Sequence, residues 1–489
     1  MKSSFIKTSR LFSSGLLMVS LFFISCKKEK EILNPVPQTS IIDVNAFDTP
    51  DRVLGLVNGI YTKVKDPQYY GGKYLMYGDL RGEEFINRTQ NIFTGYDTWG
   101  HTLNSSSNEV QNLWSAVYGA VNASNVFLKG LGDNISKVAP TLAKQYEGEA
   151  KFLRAVCYFS LVTLYAKPYV ANNGASPGLP LRLQAETSTA NNDLARSTVA
   201  QVYTQILKDL DEAETLLPLT YSTDLLNSTR AHRNSAIAFK TRVYLNMGKM
   251  DKVIEEAKKI VSTTAPFKAT SGVANQMQAD VKVIFSSNYN TTESIFSMPM
   301  TDLNSSTGQN AMGYIFNAAP TGNAEYSLNP SGIAGNTDWR TTDSRRSFLT
   351  VVSGTTFLKK YDKPSPYTDY LPVIRYSEVL LNYAEAAAKT GSNVKALELL
   401  SAVRLRSDPT YVFPTSKTET SDALINSILL ERRIEFLGEG QRSDDLLRNL
   451  LTIPGKGSGG LISPSVAPSS TAYFFPMPNS EILTNKLLL

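Results

Sequence analysis

Apolar residues recur at helical spacing along most of the chain, and the period is lost only in two long stretches. Behind Asp48-Thr49-Pro50-Asp51, which places proline early in a helix, Val53, Leu54, Val57, Ile60 and Tyr61 share one face. Similar stripes run over 108–131 and 142–166. Between 197 and 217, Thr198 and Gln201 make a capping box, Val202, Ile206, Leu210, Ala213 and Leu217 form one apolar face, and Pro218 stops the helix. Further helices are expected over 422–437 and 442–450.

Two segments share a finer pattern. In 236–261, Tyr244 precedes Gly248, and Val253 and Ala257 follow; in 377–404, Tyr383 precedes Gly391, and Ala396 and Leu400 follow. The small or apolar residue comes five and nine positions after glycine in both. This resembles the second half of a tetratricopeptide repeat, where glycine permits the tight turn and small residues let two helices approach. The predicted fold is mostly α, a tetratricopeptide-like helical-repeat bundle. Residues 263–372 differ: Ser, Thr, Asn, Gly and Pro dominate, and apolar runs survive only in pieces such as Val281 to Phe285 and Ser294 to Met298. So long a stretch predicts a large irregular insertion carrying short strands. A smaller insertion of like texture spans 67–107.

The first 25 residues carry Lys2, Lys7 and Arg10, then an apolar run from Leu11 to Ile24 broken by small polar residues, then Ser25-Cys26. That is the layout of a secretory signal, and the run is too short and too interrupted for a spanning helix. Cys26 at the junction resembles the acylation site of a bacterial lipoprotein, although Phe23 stands where such signals usually carry leucine. Acyl chains there hold a soluble domain on a membrane at about 0.8 kcal/mol per buried methylene. Residues 26–42 read as the lipidated cysteine and an extended linker through Asn34-Pro35-Val36-Pro37. Loss of 1–25 removes three basic and no acidic residues, taking the formal charge from +5 to +2, which argues against a nucleic-acid partner. Cys157, the other cysteine, sits in an apolar helical run and is expected to be a buried structural thiol.

The ordered segments carry a resemblance. The run from Glu147 to Tyr165, EGEAKFLRAVCYFSLVTLY, resembles the hallmark helix of the SusD/RagB family of outer-membrane nutrient-binding lipoproteins. In family order follow Gly178-Leu179-Pro180-Leu181, Ser197 to Tyr203, Arg242 to Gly248, Arg375 to Ala386 (RYSEVLLNYAEA), Glu431 to Phe436 (ERRIEF) and Phe475 to Ile482. One departure is Ser443, between Arg442 and Asp444, where the family usually has an aromatic. The resemblance divides the mature chain into an N-terminal region, 43–262, with a ligand-loop insertion near 67–107, and a C-terminal region, 263–489, with the variable insertion 263–372 and closing helices. It implies a receptor on the outer leaflet of the outer membrane, facing the exterior, that passes glycans, or sometimes peptides, to a SusC-like TonB-dependent transporter. The helical side is expected to face that transporter and the loops to hold ligand.

Sugar rings present apolar faces and polar edges, so a receptor needs flat aromatics flanked by amides and charged groups. Asn91, Phe93, Tyr96 and Trp99 offer that mixture in one loop; Tyr289, Tyr314, Tyr326, Trp339 and Arg340 offer it in the larger insertion. Trp99 and Trp339 are the leading candidates, while Trp114 lies on a helical stripe and is expected in the core. No catalytic residue, metal site or cofactor is expected. His101 and His232 are the only histidines, and no HExxH, GxSxG or paired-cysteine spacing occurs. Gly455 to Gly460 lacks the phosphate-loop spacing and reads as a flexible loop. The adjacent acids Glu83-Glu84 and Asp444-Asp445 leave an α-helical glycoside hydrolase as the enzymatic alternative, and an adaptor lipoprotein is a third class.

Overall fold

The computed structural model describes residues 45–286 and 289–488. The leader, Cys26 and the linker to 42 lie outside the described residues. The chain divides into two units, 1–53 and 54–489.

In chain order the first elements are α1 (Pro50–Val64), α2 (Lys73–Leu80), β1 (Phe85–Asn87) and α3 (Tyr96–Gly100). Two long helices follow, α4 (Asn108–Asp133) and α5 (Pro140–Tyr165), then α6 (Val199–Leu216), α7 (Asp224–Thr229), α8 (Arg233–Asn246) and α9 (Met250–Ile260). The larger insertion holds β2 (Ser294–Met298), α10 (Met312–Phe316), β3 (Tyr326–Leu328), β4 (Leu349–Val352), β5 (Thr355–Leu358) and β6 (Leu371–Arg375). The closing part has α11 (Tyr376–Lys389), α12 (Asn393–Ser407), α13 (Ser421–Glu435), α14 (Arg442–Arg448), β7 (Lys456–Ser458), β8 (Leu461–Ser463) and α15 (Asn479–Thr484).

The helical expectations correspond to helices in register. The capping box at α6 is formed: Thr198 Oγ1 accepts from the Gln201 N–H at 3.2 Å, and Gln201 Oε1 accepts from the Thr198 N–H at 2.8 Å. Gly248 between α8 and α9, and Gly391 between α11 and α12, adopt φ of 69° and 81°. That left-handed turn is what glycine supplies at low cost, and it folds each pair back on itself. Helix α5 is buried along nearly its whole C-terminal half, with Phe152, Phe159 and Cys157 fully inside. Burial pushes the Cys157 thiol up to about 12, so it is a packed, protonated side chain. Phe152 and Phe159 meet Phe239 of α8 edge to face, with ring centres 6.0 and 5.3 Å apart.

Among the described residues the strands form four antiparallel pairs: β1 with β3, β2 with β6, and the hairpins β4–β5 and β7–β8. Residues 281–285 form a 3-10 turn, whereas 294–298 is the strand β2. The stretch read as a flexible glycine loop is the β7–β8 hairpin, turning at Gly459-Gly460, because paired glycines favour tight hairpin turns. The β1–β3 pair is the consequential one. It registers Phe85 against Leu328 and so joins the two insertions on one surface. Among the described residues no helix is long and apolar enough to cross a membrane.

Candidate functional site

Beyond the end of β1–β3, the chain is knotted together by one carboxylate. Glu325 is buried and accepts from the hydroxyls of Thr89 and Thr94, the latter at 3.0 Å, and from Asn323 at 2.6 Å. Asn91 Oδ1 accepts from the Phe93 N–H at 3.0 Å and caps a short 3-10 turn, and Lys73 Nζ donates to the Phe93 carbonyl at 2.5 Å. Burial lowers that ammonium to about 8. The turn leaves Ile92 and Phe93 outside, 48% and 59% exposed. Tyr96 is half-buried. Tyr314 is also half-buried and meets Tyr367 edge to face at 6.3 Å.

Four of the expected ligand residues are packed inside instead. Trp99 is 1% exposed because α3 turns its indole inward, where Nε1 donates to the Phe85 carbonyl at 2.8 Å and Tyr96 stacks on the ring at 6.0 Å. Trp339 is 2% exposed under the Arg346 guanidinium, 4.2 Å from its ring centre. Tyr326 is the buried first residue of β3. Tyr289 is buried, stacked on Tyr370 at 4.5 Å, and donates to Asp369 at 3.0 Å. In each case the ring is buried among neighbouring residues, so these four offer ligand no free ring face. Arg340 is half-buried but committed to Asp408, which it grips through Nε at 2.8 Å and Nη2 at 2.5 Å. Trp114 is in the core, as expected.

A cleft of about 580 Å³ lies between β1–β3, the β4–β5 hairpin and the tip of β7–β8. Its size suits a ligand of several tens of atoms. Arg88, set over the Phe357 ring, supplies a donor, and Arg346, engaged with the Trp339 and Ala334 carbonyls, supplies positive charge. Thr355, Thr356 and Ser458 supply hydroxyls, and Ile86, Leu328 and Leu349 supply apolar wall. Arg88, which continues β1, is one residue from Thr89, so the cleft and the Glu325 knot share an edge. Sequence reading missed these residues, since β1 and β3 lie more than 200 positions apart. A signal existed for the hairpin: Leu349 to Leu358 reads as two short β-rich runs around Ser353-Gly354.

The paired acids are spent on structure. Glu83 receives Arg442 at 2.6 and 3.0 Å, and Glu84 receives Arg433 at 2.7 Å and the Ile333 N–H at 2.6 Å. Asp445 lies between Arg432 and Arg448. Among the described residues no group of three His, Cys, Asp or Glu side chains is arranged to hold a metal.

Residues 38–245 match a family model described as starch-binding, associating with the outer membrane, and residues 322–489 match the SusD family model. A SusD superfamily protein of Bacteroides fragilis has the same fold with a TM-score of 0.81 at 32% identity, over 91% of this chain and 99% of that one. The chain belongs to the SusD family. Within it, the chain is 25% identical to the SusD-like protein P2 of Formosa agariphila, with 97% of each chain covered. A laminarin-binding SusD-like protein shares the fold at TM-score 0.67 and 20% identity, over 90% of this chain and 99% of that one. The SusD fold is the helical, tetratricopeptide-like one expected, and its insertions build the cleft.

Proposed function

We propose that this SusD-family chain is a noncatalytic cell-surface receptor that captures an oligosaccharide or polysaccharide and passes it to a SusC-like TonB-dependent transporter in the outer membrane. The observation that carries the reading is the cleft of about 580 Å³ that both insertions build on the helical body. The sugar class is supported by the starch-binding description of the family model and by the laminarin-binding relative. In this reading a lipid on Cys26 tethers the body, the helical side meets the transporter, and the cleft holds ligand. Arg88 and the hydroxyls of Thr355, Thr356 and Ser458 direct hydrogen bonds to sugar hydroxyls, while Phe93, Tyr96 and Tyr314 offer ring surface elsewhere on the two insertions.

The test is electrophoresis of the purified protein through native gels containing starch, laminarin and other polysaccharides, with reducing ends assayed in parallel. Retardation by at least one glycan, with no reducing ends released, is expected. Free migration in every glycan would overturn the receptor reading, and release of reducing ends would overturn its noncatalytic part.

A further inference from the structure

A second pocket, of about 300 Å³, lies between the end of α3 and the segment 471–476. Arg81, Thr98 and His101 line it, and each keeps a buried polar atom without a partner: Arg81 Nη1, Thr98 Oγ1 and His101 Nε2. We propose that this pocket is a binding site for an oxyanion, a carboxylate or sulfate group.

The contrast with the other buried guanidiniums carries the argument. Arg242, Arg345, Arg375, Arg404, Arg432 and Arg448 each face a carboxylate within 3 Å. Arg81 is as deeply buried, at 1% exposure, yet its Nη2 donates only to the carbonyls of Tyr473 (2.6 Å) and Ala472 (3.2 Å). Among the described residues no carboxylate forms an ion pair with it. Burying a guanidinium with no counter-charge costs several kcal/mol, and an entering anion removes that cost. Burial lowers Arg81 to about 10, and burial with the charges of Lys456 and Arg81 lowers His101 to about 2. The field at the pocket is therefore positive.

The rest of the wall agrees. A threonine hydroxyl and a neutral imidazole N–H donate to an oxyanion, as the free guanidinium N–H does. His101 holds φ of 58°, in the left-handed region that histidine, like asparagine and aspartate, enters more readily than most residues, and its backbone N–H is fixed on the Thr98 carbonyl. Asp97, on the same helix, spends its carboxylate on the Thr102 hydroxyl at 3.2 Å. The volume suits one sulfate or one acidic sugar, and no residue lines both this pocket and the cleft, so the site is separate and does not depend on the glycan reading.

Sodium sulfate, sodium glucuronate and glucose, at ionic strength matched with sodium chloride, are titrated into the protein by calorimetry and by thermal shift. Saturable binding of sulfate or glucuronate, absent for glucose, is expected. Arg81→Met is expected to weaken it at least tenfold, and Thr98→Val or His101→Gly, the latter compatible with the backbone, roughly threefold to tenfold. The two milder variants carry the test if Arg81→Met fails to fold. Sulfate binding as tightly as glucuronate identifies a free oxyanion as the occupant, and glucuronate binding tenfold tighter identifies an acid group on a sugar. No saturable anion binding above the chloride control, or binding undiminished in Thr98→Val and His101→Gly, overturns the proposal.

Discussion

Around α5 the contacts are chiefly rings and aliphatic groups, with Glu149–Arg230 and Arg154–Asp209 as separate ion pairs; around α13 interlocking charges dominate. Phe152 and Phe159 of α5 pack on Phe239, and Phe152 also meets Phe296 at 5.2 Å. In the closing half, Arg345, Lys360, Arg375, Arg404 and Arg406 interlock with Glu293, Asp343, Glu431, Glu435 and Glu439, every side chain 4% exposed or less. Cations and carboxylates are equal in number, so the assembly is neutral although each member is desolvated. An apolar contact is tolerant and nondirectional, whereas such a network is satisfied only in one arrangement. The network joins α12 and α13 to residues of the insertion, Glu293, Asp343 and Arg345, and so fixes the larger insertion on the helical frame.

The sharpest way to break this comparison is to remove the carboxylate with the most partners. Glu435 accepts from Arg345 (2.8 Å), Arg375 (3.0 Å) and Arg406 (2.6 Å). Glu435→Ala takes one carboxylate from each of three guanidiniums and leaves the network with a net positive charge. Of carboxylate partners, Arg345 then keeps only Asp343 and Glu431, Arg375 only Glu293 and Glu439, and Arg406 only Glu293. The substitution is expected to cost about 3 kcal/mol in urea unfolding. A loss under 1 kcal/mol would show that the network contributes little as a unit.

The two regions also differ in the sign of their pH dependence. Burial pushes the Glu435 carboxyl up, but Arg406, Arg375 and Arg345 outweigh it and hold the group well below the usual carboxylate range. Its contribution is present above the unfolded value and is lost as pH falls. Glu109, at the start of α4, has no such partner; burial and then the Asp97 charge raise it from 4.5 to about 8. Folding therefore favours its protonated form, and that contribution is full below pH 4.5 and disappears as pH rises through about 8. Glu109→Gln is expected to stabilise the protein by about 2 kcal/mol at pH 8.5 and to have little effect at pH 5. An equal effect at both values would refute a neutral buried carboxyl. Within the apolar half, Ile206→Val on α6 is expected to cost about 1 kcal/mol at either pH, because it removes one buried methylene and no charge.

How much of this was legible differs between the halves for the same reason. The α6 stripe and its cap follow from local chemistry, since Thr198, Gln201 and the apolar face lie within one window. The glycine turns at 248 and 391 were legible too. In the closing half the motif residues Arg375, Glu378, Glu385, Glu431, Arg432 and Glu435 stand out by resemblance, but nothing local says that they are buried. Charged residues read as surface until partners from distant segments are known. The aromatic loops failed in the converse way. Trp99 and Trp339 lie among Asn, Gly and Thr and read as exposed, yet the Phe85 carbonyl and the Arg346 guanidinium that cover them come from outside their own turns.

Phe93 and Trp99 turn that last difference into the mildest test. They are six residues apart in one loop, one ring 59% exposed and the other 1%. Exposed substitutions away from packed features change stability by under about 0.5 kcal/mol, whereas truncating a buried tryptophan costs about 3–5 kcal/mol. Phe93→Ala is thus expected to leave the urea midpoint unchanged while weakening retardation by the retained glycan about threefold to tenfold, the range of one lost ring contact. Trp99→Ala is expected to lower the midpoint first, and any loss of binding should track the loss of fold. Should Trp99→Ala abolish binding with its midpoint intact, and Phe93→Ala do nothing, the ligand surface would be assigned to the wrong side of this loop.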